Sequence, residues 1–118
     1  MDNKFINFTN HPSELWEQNQ IDSALTFGKI IDIPFPNVPP TFTPKDIDEL
    51  GLEYTNRILA ENPTAVLCQG EFSLSYNIIC RLKQNDIKVL TACSERNTII
   101  IGNEKRSIFS FVQFREYL

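Results

Sequence analysis

The sequence predicts an α/β domain: a three-layer sandwich with a mostly parallel sheet, helices on both faces and a C-terminal β-hairpin. Three observations predict it. Strand-like and helix-like segments alternate in the order βαβαβαβ through residue 93. The last two of those strands, "TAVLCQ" (64–69) and "IKVLTAC" (87–93), are almost continuously apolar, as strands covered on both faces are. Beyond them the pattern changes to two strand-like runs over 97–114, joined by "GNEKR", with Gly102-Asn103 at the tip.

Each element has its own local cause. "KFINF" (4–8) reads as the first strand. "SELWEQNQIDSALTFG" (13–28) reads as a helix with Ile21, Ala24 and Leu25 on one face. Its start is ambiguous, with Pro12 at the first helical position or the helix beginning after Trp16, and Gly28 suits a C-cap. "KIIDIPF" (29–35) is the second strand. The stretch 34–44 holds five of the seven prolines, so it reads as a stiff, structured loop within one domain spanning 1–118.

"TPKDIDELGLEYTNRILAEN" (43–62) is the clearest helix. Thr43 suits an N-cap, Pro44 the first turn, and Asp46 and Asp48 complement the positive end of the helix dipole. Ile47, Leu50, Tyr54 and Ile58 recur at intervals of three and four, and "NP" at 62–63 ends the run. "SLSYNIICRLKQND" (73–86) is the next helix, with Leu74, Ile78 and Leu82 facing the core.

Composition narrows the function classes. The chain has 118 residues, 42% hydrophobic and 22% charged, which is ordinary for one globular domain. No apolar run approaches the roughly 20 residues of a membrane span. "MDNKFINF" lacks the basic-then-apolar pattern of a secretory signal, so the expected compartment is the cytoplasm and the "NFT" sequon at 7–9 carries no weight. Cys68, Cys80 and Cys93 are odd in number, form no CxxC pair and sit in apolar surroundings, so they read as core residues of a reducing compartment. The net charge of −4 argues against a protein that coats duplex DNA or RNA phosphates. An anionic ligand would have to be held by a few local donors.

The same topology nominates a site. Crossovers are nearly always right-handed, so the strand ends that precede helices fall along one edge, where open sheets of this kind bind ligands. Three apolar strands end there in polar clusters: Asn7, Thr9, Asn10 and His11; Gln69, Gly70, Glu71 and Phe72; and Cys93, Ser94, Glu95 and Arg96. Pro34 and Phe35 close the remaining strand. Helices begin at this edge too, and their first turns present unpaired N–H groups that suit phosphate. Each residue also has a plainer reading. His11 before a proline is a helix cap or a rim group; Glu71 caps the third helix or meets ligand. Arg96 pairs with Glu95 or Glu71, or meets an anion. Ser94 is a turn residue or a contact, and Trp16 and Phe35 are packing residues or stacking platforms. Gly70 suits a tight turn and a close backbone approach alike.

Several familiar chemistries lack their motifs. There is no GxGxxG, no GxxxxGK[ST] and no GxSxG. Cys93 and Arg96 are too close for a phosphatase-type loop. A single histidine without neighbouring ligands points to no transition-metal centre, and no cofactor is indicated.

Taken in order, "NH" (10–11), "QGEF" (69–72), "SER" (94–96) and "FSFVQFREY" (109–117) resemble the small single-domain CRISPR-associated Csx-type proteins, in particular the branch counted among the ring nucleases. The resemblance spans most of the chain and departs at Gln113, where a basic residue is expected in the closing strand. It implies a Rossmann-like fold related to the CARF sensor domain. The implied ligand is a cyclic oligoadenylate, chiefly cyclic tetra-adenylate. The implied reaction is metal-independent cleavage by the ligand's own 2′-hydroxyl, which switches off type III CRISPR signalling. It also implies catalytic roles for His11, Arg96 and Glu71, ligand contacts from Thr9, Asn10, Phe35, Gln69, Gly70, Phe72, Ser94 and Glu95, and a homodimer matched to a two-fold ring. A binding module that leaves the ring intact is the alternative expectation.

Overall fold

In the computed structural model, which describes residues 2–118, β1 (Lys4–Phe8) lies in the sheet between β2 (Lys29–Asp32) and β3 (Ala65–Cys68), parallel to both. β4 (Lys88–Ile101) joins β3 in parallel, and β5 (Glu104–Glu116) runs antiparallel along β4. The result is a five-stranded mixed sheet in the order β2-β1-β3-β4-β5. Three α-helices connect the parallel strands: α1 (Gln18–Leu25), α2 (Pro44–Ala60) and α3 (Phe72–Gln84). No helix among the described residues is long and apolar enough to cross a membrane.

Alternation along the strands divides the core in two. Ile6, Phe8, Val66, Cys68 and Val89 point to one face, where Ile47 and Ile58 of α2 and Leu74, Ile78 and Leu82 of α3 pack on them. Phe5, Ala65, Leu67 and Leu90 point to the other, where they meet Trp16 and Ala24 of the α1 side. Phe5 anchors that face, its ring edge-on to Trp16 and tilted against Phe27 and Phe114. Cys68 is buried and free, and burial pushes its thiol up to about 12. Cys80 and Cys93 are half-buried and free.

Local signals are honoured at α2. The Thr43 hydroxyl accepts from the Asp46 N–H at 3.2 Å while the Asp46 carboxylate accepts from the Thr43 N–H at 2.9 Å, a reciprocal cap with Pro44 in the first turn. Asn62, at φ 52°, follows the helix in the left-handed region.

Elsewhere the elements differ from the sequence reading. Of the two starts left open for the helix over 13–28, the one after Trp16 is realised: α1 begins at Gln18, preceded by a 3-10 turn, Ser13–Leu15, with Trp16 extended between them. Gln20 and Ala24 are its buried positions, and Leu25 is exposed. Gly28 does not cap this helix, whose C-cap is Thr26; at φ 149° it brings the chain against the backbone of Asn3, where a Cβ would clash. β2 ends at Asp32, although Ile33 and Phe35 continue to donate backbone hydrogen bonds to Asn7 and Thr9.

The largest difference is at β4. The fourth strand does not close at Cys93 but runs on to Ile101 and becomes one arm of the hairpin. Residues 94–109 form an exposed two-stranded ribbon. Its arms satisfy each other's backbone groups, so it needs no packing partner to keep its hydrogen bonds. The radius of gyration, 15.8 Å, is correspondingly above the ~13–14 Å of a compact chain this long.

Candidate functional site

A cleft of about 760 Å³ opens on the α1 side of the sheet. Six of the nominated residues line it: Thr9, Asn10, His11, Gln69, Gly70 and Ser94. Side-chain alternation explains most of this selection. Thr9 follows Phe5 and Asn7 at intervals of two, and Gln69 follows Ala65 and Leu67, so both stay on the α1 face. The strand ends converge as the topology demands, and the face on which α1 packs decides which of their residues share a cavity.

The segment from Thr9 to Trp16 is tied down by a polar network centred on the buried Asn7. Asn7, 1% exposed, donates from Nδ2 to the His11 carbonyl and to Asp32 Oδ1, each at 3.0 Å. The Thr9 hydroxyl donates to Asn7 Oδ1 at 2.8 Å and accepts from the His11 N–H at 3.1 Å. The Trp16 indole N–H also donates to the His11 carbonyl, at 3.0 Å, and Asp32 Oδ2 accepts from the Ser13 N–H at 3.1 Å. A fully satisfied network of this kind rigidifies the loop. It is the backbone of His11 that is locked; the side chain is exposed at the cleft.

Gln69 continues the ladder beyond β3. Its Oε1 accepts from the Ala92 N–H at 2.7 Å, replacing the carbonyl that the ended strand cannot supply. This orients its amide N–H2 group, which has no acceptor among the described residues. Gly70 lies directly over the Phe35 ring, and any Cβ there would strike it.

The ribbon reaches the cleft through a β-bulge. Cys93 pairs with Gln113 but Ser94 pairs with Phe111, so Val112 is the extra residue. The freed backbone of Phe111 is taken up from the α1 side: Glu17 Oε1 accepts from the Phe111 N–H at 3.2 Å, and Asn19 Nδ2 donates to its carbonyl at 2.9 Å. The bulge thereby sets Ser94, Phe109 and Phe111 against the cleft.

Five nominated residues do not line it. Phe35 is buried against Phe8 on the opposite face of the sheet, a packing residue beneath Gly70. Glu71 is the N-cap of α3: its carboxylate accepts from the Ser73 and Leu74 N–H groups at 2.7 and 3.1 Å. The Ser73 hydroxyl foremost, opposed by burial and helped by those two N–H groups, holds it below the ordinary carboxylate range. Phe72, in the first turn of α3, is 91% exposed and away from the cavity. Glu95 alternates to the ribbon face opposite Ser94. Arg96 alternates back to the Ser94 face of the ribbon, where its Nε donates to Ser107 Oγ at 3.1 Å and its guanidinium stands 5.9 Å from the ring of its cross-strand partner Phe109, which lines the cleft. It pairs with neither Glu95 nor Glu71. Gln113 lies opposite Cys93 and next to Phe114, which packs on the α1 face, so its side chain points to the other side of the sheet.

A family model described as the uncharacterized protein MJ1673 family matches residues 3–115. The chain belongs to that family. No curated protein and no solved structure matches it.

In this MJ1673-family chain the sequence reading missed the α1 wall, Glu17 and Gln20, and the ribbon aromatics Phe109 and Phe111. One signal was available: Gln20 precedes Ala24 by one helical turn, a polar residue on the stripe that should face the core. Nothing local marks the bulge that brings the ribbon back.

Proposed function

We propose that the cleft binds a cyclic oligoadenylate, chiefly cyclic tetra-adenylate, and that the protein is a CRISPR-associated ring nuclease that opens the ring and ends type III signalling. The observation that carries the reading is the convergence of Asn10, His11, Gln69 and Ser94 on one cavity at the carboxyl ends of the parallel strands, with Arg96 paired to the cleft-lining Phe109 across the ribbon. A Rossmann-like reading of the fold, related to the CARF domain, supports it. The strand order places β1 and β3, whose chains leave in different directions, side by side, and such a junction is where open α/β sheets bind nucleotides.

In the proposed reaction a ribose 2′-oxygen attacks the adjacent phosphorus in line. The O2′–P bond forms, the P–O5′ bond breaks, the 2′-hydroxyl proton passes to a base, and the departing 5′-oxygen takes up a proton. The products are linear fragments with 2′,3′-cyclic phosphate ends. The substrate supplies the nucleophile, so the protein has to fix geometry and stabilise charge. His11, exposed with its backbone locked, is the proton-transfer residue, worth about 10²–10⁴-fold. Arg96, on the ribbon face that carries Ser94, is the proposed phosphate contact. A two-fold ring is matched by a homodimer with C2 symmetry.

One observation favours a second reading, a non-catalytic sensor module. Glu71 is occupied as a helix cap, and no lysine or arginine lines the cleft itself among the described residues. Incubation with cyclic tetra-adenylate in EDTA separates the two. Linear products, slowed at least tenfold in His11→Ala or Arg96→Ala, support the nuclease. Saturable binding of an intact ring supports the module, and no binding of any cyclic oligoadenylate removes both.

A further inference from the structure

Gln20 is 9% exposed, lines the buried side of the cleft, and its carboxamide makes no hydrogen bond to any described residue. No described residue satisfies its donor and acceptor, so they are left to solvent or to whatever enters the cleft. The other buried residues that line the cleft, Trp16, Leu67 and Phe111, present apolar surface, and the Trp16 N–H is already donated to His11. Ala24, one turn further along α1, shows that this stripe of the helix is otherwise apolar.

Resting on the reading of the cleft as a nucleotide site, we infer that Gln20 recognises the edge of an adenine base. A carboxamide presents a donor beside an acceptor in one plane. Its complement is an acceptor beside a donor, which adenine offers at N7 and the N6 amino group. Guanine and hypoxanthine present two acceptors at the same place and leave the Gln20 carbonyl unpaired. The exposed ring of Phe109 on the ribbon, which also lines the cleft, supplies an aromatic surface for a base inserted between α1 and β4–β5. The bulge at Val112 and the hold of Glu17 and Asn19 on Phe111 fix the gap between these walls. Gln69 and His11 are left to meet the sugar and phosphate.

Trp16 is the single tryptophan and lines the cleft, so its emission reports occupancy. The full chain is titrated with adenosine 5′-monophosphate, inosine 5′-monophosphate and cyclic tetra-adenylate, as wild type and as Gln20→Met, and each protein is melted. The adenosine nucleotide is expected to bind about tenfold or more tighter than the inosine nucleotide. Gln20→Met abolishes that preference while leaving the melting temperature within a few degrees, since it removes an amide with no partner among the described residues at similar volume. Equal binding of the two nucleotides by wild type, binding of neither, or an unchanged preference in Gln20→Met overturns the assignment. So does a melting temperature lowered by several degrees, which makes the amide a structural group. If the preference is found but the ring is neither bound nor cleaved, the base subsite stands and the ring reading falls. If the ring is cleaved equally well by Gln20→Met, the subsite falls and the ring reading stands.

Discussion

β4 is one strand with two environments. From Lys88 to Ala92 it is an interior strand, with Val89 and Leu90 buried between helical layers. From Ser94 to Ile101 it is an arm of a ribbon with every side chain exposed, although Ile99, Ile100 and Ile101 are as apolar as anything in the core. The two halves cannot be told apart by hydropathy or strand propensity. What separates them is whether β3 is still alongside: its register with β4 ends at the Leu67–Leu90 pair. The body of the sheet holds its strands by packing. The ribbon holds its arms chiefly by their mutual hydrogen bonds, and the bulge at Val112 marks the hand-over.

This comparison is broken most directly by cavity formation. Ile6→Ala, at a fully buried site between β1 and the α2–α3 layer, is expected to lower unfolding free energy by about 2–5 kcal/mol in chemical denaturation. A loss below 1 kcal/mol there would mean that the body is not the stable unit. The bulge tests the boundary itself. Deleting Val112 removes the extra residue and regularises the ladder between the Cys93–Gln113 and Ser94–Phe111 pairs, so the bend and extra twist that aim the ribbon at the cleft are lost. Binding of any cleft ligand is then expected to vanish. The melting transition shifts by roughly what an orphaned pair of backbone groups costs, about 1–3 kcal/mol, as Phe111 leaves Glu17 and Asn19.

Smaller still is the cap of α3. Glu71→Ala is expected to cost about 1 kcal/mol or less, since the carboxylate is exposed and screened. The carboxyl is held below its ordinary value in the folded chain, so its contribution is present above about pH 4.5 and is lost as pH falls through the lower folded value. Acid titration of Glu71→Gln should lack that component; an identical acid profile would remove the capping role. The smallest effect belongs to the ribbon. Ile100→Thr, at a side chain 69% exposed, should change stability by no more than about 0.5 kcal/mol in either direction. A larger loss would reveal a packing partner for the ribbon in solution.

The sequence by itself determined what depends on near neighbours. The cap at Thr43 and Asp46, the apolar stripe of Ile47 and Ile58, and the order of strands and helices follow from dihedral preference and periodicity within a few residues. They sufficed to bring Thr9, His11, Gln69 and Ser94 to one edge. The tertiary structure alone decided which side of that edge becomes a cavity. Phe35 and Glu95 leave the site and Gln20 and Phe111 enter it, because a strand's side chains alternate between two faces. Which face α1 covers, and where a bulge shifts the count by one, are set by contacts between segments up to 94 residues apart.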